Sequence, residues 1–181
     1  MKQSDAIILR PATERDARDI AEILRDSYRR YRDDQVPADM PGYHADHIAG
    51  EMADESTRWT VAVDQGQRVG VAMWRLLEGM SHLHLLYVRS NHQGHGLGGR
   101  LLKHHQEEAL KERPDTRLFT LHCLRDSLWA MKFYKHHGYT LYEEGDERRV
   151  MDLVTWIDSC RNHDRGWPLR ADKALFYKRA H

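Results

Sequence analysis

Long apolar runs are missing from this 181-residue chain. None approaches the ~20 residues that a membrane-crossing helix needs. Cysteine is scarce, with only Cys123 and Cys160 and no Cys-x-x-Cys spacing. With no charged-then-apolar leader either, the expected setting is a reduced, cytoplasmic one. A charge excess is also missing, because 28 Lys and Arg balance 28 Asp and Glu. That balance argues against a chain that works mainly on nucleic-acid phosphates or an anionic membrane, since both require a cationic surface. No repeat, low-complexity tract or linker divides the sequence, so residues 1–181 are expected to form one domain with a core of its own. What is abundant is histidine, with 13 side chains of which six fall between His82 and His105. Imidazole titrates near pH 6.5, so their placement bears on function.

The order of elements follows from periodicity and turn signals. Residues 6–10 form a short apolar run ending at Pro11, read as a strand. Thr13-Glu14-Arg15-Asp16 resembles a capping box with Asp in place of Glu. Ala17, Ile20, Ala21, Ile23, Leu24 and Tyr28 then recur at helical spacing. Residues 29–43 read as a long exposed loop and 44–52 as a short helix. Two β-rich runs, 58–64 and 68–77, flank the hairpin signal Gln65-Gly66-Gln67, and 80–88 is a third strand. After a glycine-rich turn comes a helix with Leu97, Leu101, Leu102, Ala109 and Leu110 on one side, closed by Pro114. Strand 117–124, helix 127–137 stopped by Gly138, strand 139–143 and strand 173–178 complete the series. Residues 145–172 are strongly charged around Val150, Met151, Val154, Trp156 and Ile157, and read as an insertion carrying a helix. Strands and helices in this order predict a mixed α/β domain.

One segment points to ligand chemistry. Gln93-Gly94-His95-Gly96-Leu97-Gly98-Gly99 follows a strand and opens a helix. Successive peptide N–H groups can face one anion there, and the helix N-terminus adds roughly half a positive charge. The alternative is a tight turn without a ligand. No Gly-Lys-Ser/Thr ends the cluster, so it is not a Walker loop, and its spacing is not Gly-x-Gly-x-x-Gly with a following acid.

The run Leu85-Leu86-Tyr87-Val88, followed by the relaxed Gln-x-x-Gly-x-Gly of Gln93 to Gly98, resembles the acetyl-CoA motif of the GNAT superfamily of N-acetyltransferases. A second block, Ala130-Met131-Lys132-Phe133-Tyr134-Lys135-His136-His137-Gly138-Tyr139, is similar to that family's other signature. The resemblance covers nearly the whole chain outside 145–172. It implies a central, mostly antiparallel sheet flanked by helices, with strand four splayed from strand five. It also implies acetyl-CoA as cosubstrate. The pantetheine arm would lie against backbone at Leu86, Tyr87 and Val88. Gln93 belongs to the matched motif, and the pyrophosphate would sit on Gly94, His95, Gly96, Leu97, Gly98 and Gly99. Arg89, His92, Arg100 and Lys103 surround this turn and would give it a positive mouth, or else form an ordinary solvated face. Tyr134 matches the tyrosine that gives a proton to the departing thiolate, and a phenol of pKa near 10 suits that task. The alternative is an aromatic core residue. Where many members carry Asn, this chain has Ser127, which can still cap the following helix.

Only a neutral amine attacks a thioester, so a base of pKa near neutrality is useful. His82 and His84 stand two apart on the predicted strand and so share a face. Their His-x-His resembles the arylalkylamine N-acetyltransferase branch, where paired histidines relay a proton. A surface pair, or a metal site lacking further ligands, are the alternatives, and no metal is expected. The acceptor is read as the primary amine of a small molecule, attacked directly in a ternary complex. A protein N-terminus or lysine is the alternative acceptor, and a coenzyme-binding domain without turnover is a third reading. Cys123 is not expected to carry acetyl. His104-His105 and His136-His137 sit about 100° apart on helices and read as surface or half-buried residues. The insertion is expected to cap the acceptor pocket or to pack against a second subunit.

Overall fold

In the computed structural model, the described residues are 7–32, 44–146, 150 and 173–180. Seven strands, β1 (Ile8–Pro11), β2 (Thr57–Asp64), β3 (Gln67–Leu77), β4 (Met80–Val88), β5 (Leu118–Leu124), β6 (Thr140–Leu141) and β7 (Lys173–Arg179), form one sheet in the order β1-β2-β3-β4-β5-β7-β6. The β1–β2, β2–β3, β5–β7 and β6–β7 pairs are antiparallel, and β4–β5 is parallel. Four α-helices accompany them: α1 (Ala17–Arg32), α2 (Ala45–Met52), α3 (Leu97–Glu112) and α4 (Leu128–His136). This is the expected mixed α/β fold. Among the described residues no helix is long and apolar enough to cross a membrane.

The chain divides into two compact units, residues 1–76 with 84–108 and residues 77–83 with 109–181. In the first unit, α1 buries Ala17, Ile20, Ala21, Ile23 and Leu24, as its spacing predicts, against Ile48, Trp59, Val61, Val71 and Met73. In the second, Met80, Leu118, Val150 and Leu175 form a core with Leu77, Tyr142 and Tyr177. Strand alternation sends Phe176 to the other face, where its ring meets Tyr134 of α4 at 5.9 Å.

Local chemistry explains the joints. Gln65 (φ 46°) and Gly66 (φ 81°) both occupy the left-handed region, which a two-residue type I′ hairpin requires. At the start of α1 the Thr13 N–H donates to the Asp16 carboxylate at 2.9 Å, the reach-back bond of the expected capping box. A 3₁₀ turn at Glu14–Asp16 precedes the α-helix proper. The fully buried Asp16 also accepts two 2.8 Å hydrogen bonds from Arg10 and one of 2.8 Å from Arg68. These bonds, Arg10 foremost, hold its carboxyl far below the usual range against the opposing effect of burial.

Three expectations are revised. Residues 29–32 continue α1 rather than opening the loop, and 33–43 lie outside the described residues, as do Met151, Val154, Trp156 and Ile157 of the insertion. Ser127 occupies the N-cap position of α4, but its hydroxyl makes no capping bond. His105 is fully buried, its ring 5.1 Å from Trp74, because β3 is covered on the face opposite α1 by α3.

Candidate active site

The parallel pairing of β4 with β5 matches Met80 to Leu118 and Leu83 to Leu121, where it ends. β4 nevertheless continues to Val88 and β5 to Leu124. The ladder therefore ends at Leu83 and Leu121, before either strand does.

In the first unit, β4 delivers the chain into the glycine turn. The Val88 carbonyl accepts from the Ser27 hydroxyl at 3.0 Å and from the Gln93 amide at 2.8 Å. Both lone pairs of that carbonyl are thereby used, and Gln93 braces the turn against the end of the strand. Gly94 and Gly96 have φ of 81° and 80°, a backbone conformation that a Cβ disfavours. A Cβ at either would meet nothing within 4 Å, so conformation and not crowding requires glycine. The Arg100 N–H bonds the Gly96 carbonyl at 3.1 Å and closes the first turn of α3. Among the described residues, the N–H groups of Gly94 through Gly99 have no hydrogen-bond acceptor. A run of peptide donors at a helix N-terminus fits a pyrophosphate.

The surrounding cations are less available than their sequence positions suggest. Arg89 donates to the Arg68 carbonyl at 2.8 Å and approaches Glu22 at 3.4 Å. His92 lies 3.1 Å from Asp64, Arg100 donates to the Ile7 carbonyl at 2.8 Å, and Lys103 pairs with Glu107 at 3.5 Å on an exposed face. Each has a partner within the protein, the exposed Lys103 pair being the weakest, whereas among the described residues the N–H groups of Gly94 through Gly99 have none.

A polar depression of about 580 Å³ in this unit is lined by Asp19, Glu22, Asp26, Arg68 and Arg89. Its carboxylates are committed as well: Asp26 accepts from Ser90, Glu22 from Arg89, and Asp19 lies 3.3 Å from Arg68.

In the second unit, His82 is 4% exposed. Its Nδ1 lies 2.8 Å from the Thr120 hydroxyl, and its ring stacks on His122 at 5.5 Å and 18°. Thr120 and His122 escaped sequence reading, since only the β4–β5 register brings them to His82. His84, in the first unit, is half-buried.

Tyr134 is 9% exposed, its ring packed edge-on to Tyr139 at 6.0 Å. Its backbone carbonyl accepts from the N–H of Tyr139 at 3.1 Å, which ties the end of α4 to the next strand. Cys123 is partly buried, and burial pushes its thiol up to about 11, with Lys173 and Arg125 opposing weakly. A thiol held that high is a poor nucleophile at neutral pH.

A sheet with one parallel pair, β4–β5, and a glycine turn of unpaired N–H groups at a helix N-terminus are features of a coenzyme A-dependent acyltransferase. The chain belongs to the acetyltransferase (GNAT) family, whose sequence model matches residues 17–139, and it is an N-acetyltransferase whose acetyl donor is acetyl-CoA. Solved structures share the fold. A PaiA N-acetyltransferase from Thermoplasma acidophilum in complex with coenzyme A is similar at TM-score 0.73 and 13% identity, over 96% of this chain and 99% of that one. A GNAT-family acetyltransferase from Staphylococcus aureus is similar at TM-score 0.72 and 15% identity, over 97% and 100%. A ribosomal-protein-alanine N-acetyltransferase from Brucella melitensis is similar at TM-score 0.61 and 19% identity, over 94% and 96%. No curated protein sequence matches the chain.

Proposed function

We propose that the acetyl acceptor is the primary amine of a small molecule, with an arylalkylamine as the favoured type. The observation that carries this reading is the buried imidazole of His82 on β4, two residues from His84. An incoming ammonium has to lose a proton before its lone pair can attack, and imidazole accepts protons near neutrality. In this reading the histidine pair on β4 serves that loss of a proton. The unpaired N–H groups of Gly94 through Gly99 hold the pyrophosphate, and the backbone of Leu86, Tyr87 and Val88 holds the pantetheine arm. Tyr134 donates to the departing thiolate. The amine attacks the thioester carbonyl directly, and the high Cys123 thiol agrees with the absence of an acetyl-cysteine stage. The protein acts in the cytoplasm on a small solute, with no nucleic-acid or membrane partner.

A coenzyme-release assay across arylalkylamines, polyamines, amino acids, aminoglycosides and short peptides tests this. The expected result is turnover of one small-amine class, with peptides inert. Turnover of a peptide beginning with alanine, and of no small amine, would move the reading to protein N-terminal acetylation, a possibility raised by the Brucella neighbour. Coenzyme binding with no thiol release under any amine would leave only a non-catalytic role.

A further inference from the structure

We propose that Thr120 is a positioning residue that holds His82 neutral with its proton on Nε2, so that the lone pair taking the amine's proton belongs to His84. This rests on the reading above, in which both histidines serve the amine. The Thr120 hydroxyl and His82 Nδ1 are 2.8 Å apart, and both residues are buried. A hydroxyl carries one hydrogen to donate, whereas Nδ1 of a neutral ring either donates or accepts. Among the described residues the Thr120 hydroxyl has no other hydrogen-bond partner. Its cross-strand neighbour on β7, Tyr177, directs its own hydroxyl to Asp146 at 3.2 Å. Were Nδ1 the donor, the hydroxyl hydrogen of Thr120 would be stranded in the interior, and buried donors are rarely left so. With the hydroxyl donating to Nδ1 that hydrogen is placed, and the ring proton must then reside on Nε2.

The stacked ring of His122 points the same way. Two imidazolium ions at 5.5 Å repel, so His82 and His122 are not both charged, and the hydrogen bond donated by Thr120 to Nδ1 places a neutral ring at His82. The backbone makes the arrangement rigid, because His82 and Thr120 are direct partners in the β4–β5 ladder. A neutral ring with Nδ1 engaged and Nε2 protonated can donate a hydrogen bond but has no lone pair to offer. Of the two histidines, the proton acceptor is then His84.

Nitrogen-15 NMR of histidine-labelled enzyme, with His82 assigned by loss of its signals in His82→Gln, reads the tautomer directly. The expected result is a single neutral His82 ring, protonated at Nε2 and hydrogen-bonded but unprotonated at Nδ1. Thr120→Val keeps the shape and removes the hydroxyl. In that variant the His82 signals should move to mixed-tautomer values, and kcat/KM for the amine should fall about ten-fold with KM for acetyl-CoA unchanged. Thr120→Ser should restore both. A wild-type His82 protonated on Nδ1, or a valine variant with wild-type tautomer signals, overturns the proposal. Failure of the underlying reading looks different: if the double variant His82→Ala, His84→Ala keeps the wild-type pH profile, there is no relay and the role given to His84 falls, whatever the tautomer.

Discussion

At Cys123 the surroundings decide between two chemistries that the residue type leaves open. Burial raises the thiol to about 11, outweighing the attraction of Lys173 and Arg125 for a thiolate, so at pH 7 only about one in ten thousand is ionised. Cys123→Ala is therefore expected to keep kcat within about two-fold, and the absence of a mass shift for acetyl-enzyme in rapid-quench samples checks the same point. The opposite holds for the histidine pair. His82→Ala with His84→Ala removes both imidazoles from β4, and kcat/KM is expected to fall by about a hundred-fold or more near neutral pH, with the acidic limb of its profile displaced. An unchanged limb would remove both residues from proton transfer. The individual partners of these side chains were the least legible part of the sequence. His82 and His84 could be named from their spacing, but Thr120 and His122 become partners through a strand register that no local pattern encodes. Gln93 was legible as part of a motif, yet its amide is spent on the Val88 carbonyl, a bond that composition does not reveal.

At the scale of the element, periodicity carried far. The apolar spacing of α1 names the residues that are buried, and 80–88 was read with the bounds that β4 has. What escaped is whatever depends on a neighbour. His105 read as surface or half-buried because helical spacing places only the apolar stripe, whereas β3 is sandwiched and Trp74 brings the ring into the interior. Ser127 read as a cap, and it holds the position without the bond. The glycine turn joins both levels, since spacing located it and its dihedral angles show why glycine is needed. Gly96→Ala puts a Cβ on a residue at φ 80°, costing roughly 1–2 kcal/mol if the loop keeps its shape. The loop is expected to relax instead and misdirect its N–H groups. KM for acetyl-CoA should rise about ten-fold, with a smaller change in kcat. Isothermal titration with coenzyme A would record the same loss as weaker binding, and unaltered affinity would show that the turn does not hold the coenzyme.

For the molecule as a whole, two buried groups make stability depend on pH, in windows that open at different pH. Asp16 has a folded pKa far below its unfolded value because Arg10, Thr13 and Arg68 bond its anion. Its contribution is complete above the unfolded pKa near 4 and is lost only as pH falls below it. His105 acts earlier. Burial, with a smaller contribution from His104, lowers its pKa to about 3, so the folded state excludes a proton that the unfolded chain takes up near pH 6.5. Below that value each unit of pH favours the unfolded state by up to about 1.4 kcal/mol, and the loss continues until the folded ring itself titrates. Between pH 6.5 and 5 only His105 of these two is active, and the loss assigned to it is about 2 kcal/mol. His105→Leu keeps an apolar side chain against Trp74 and removes the titration. Urea unfolding at pH 7.0 and 5.0 is expected to show a drop in stability for wild type that exceeds the variant's by about 2 kcal/mol, even if the variant is less stable at pH 7.0. Equal drops would mean that the ring is hydrated or charged in the folded protein, and that the face of β3 under α3 is open to water at Trp74.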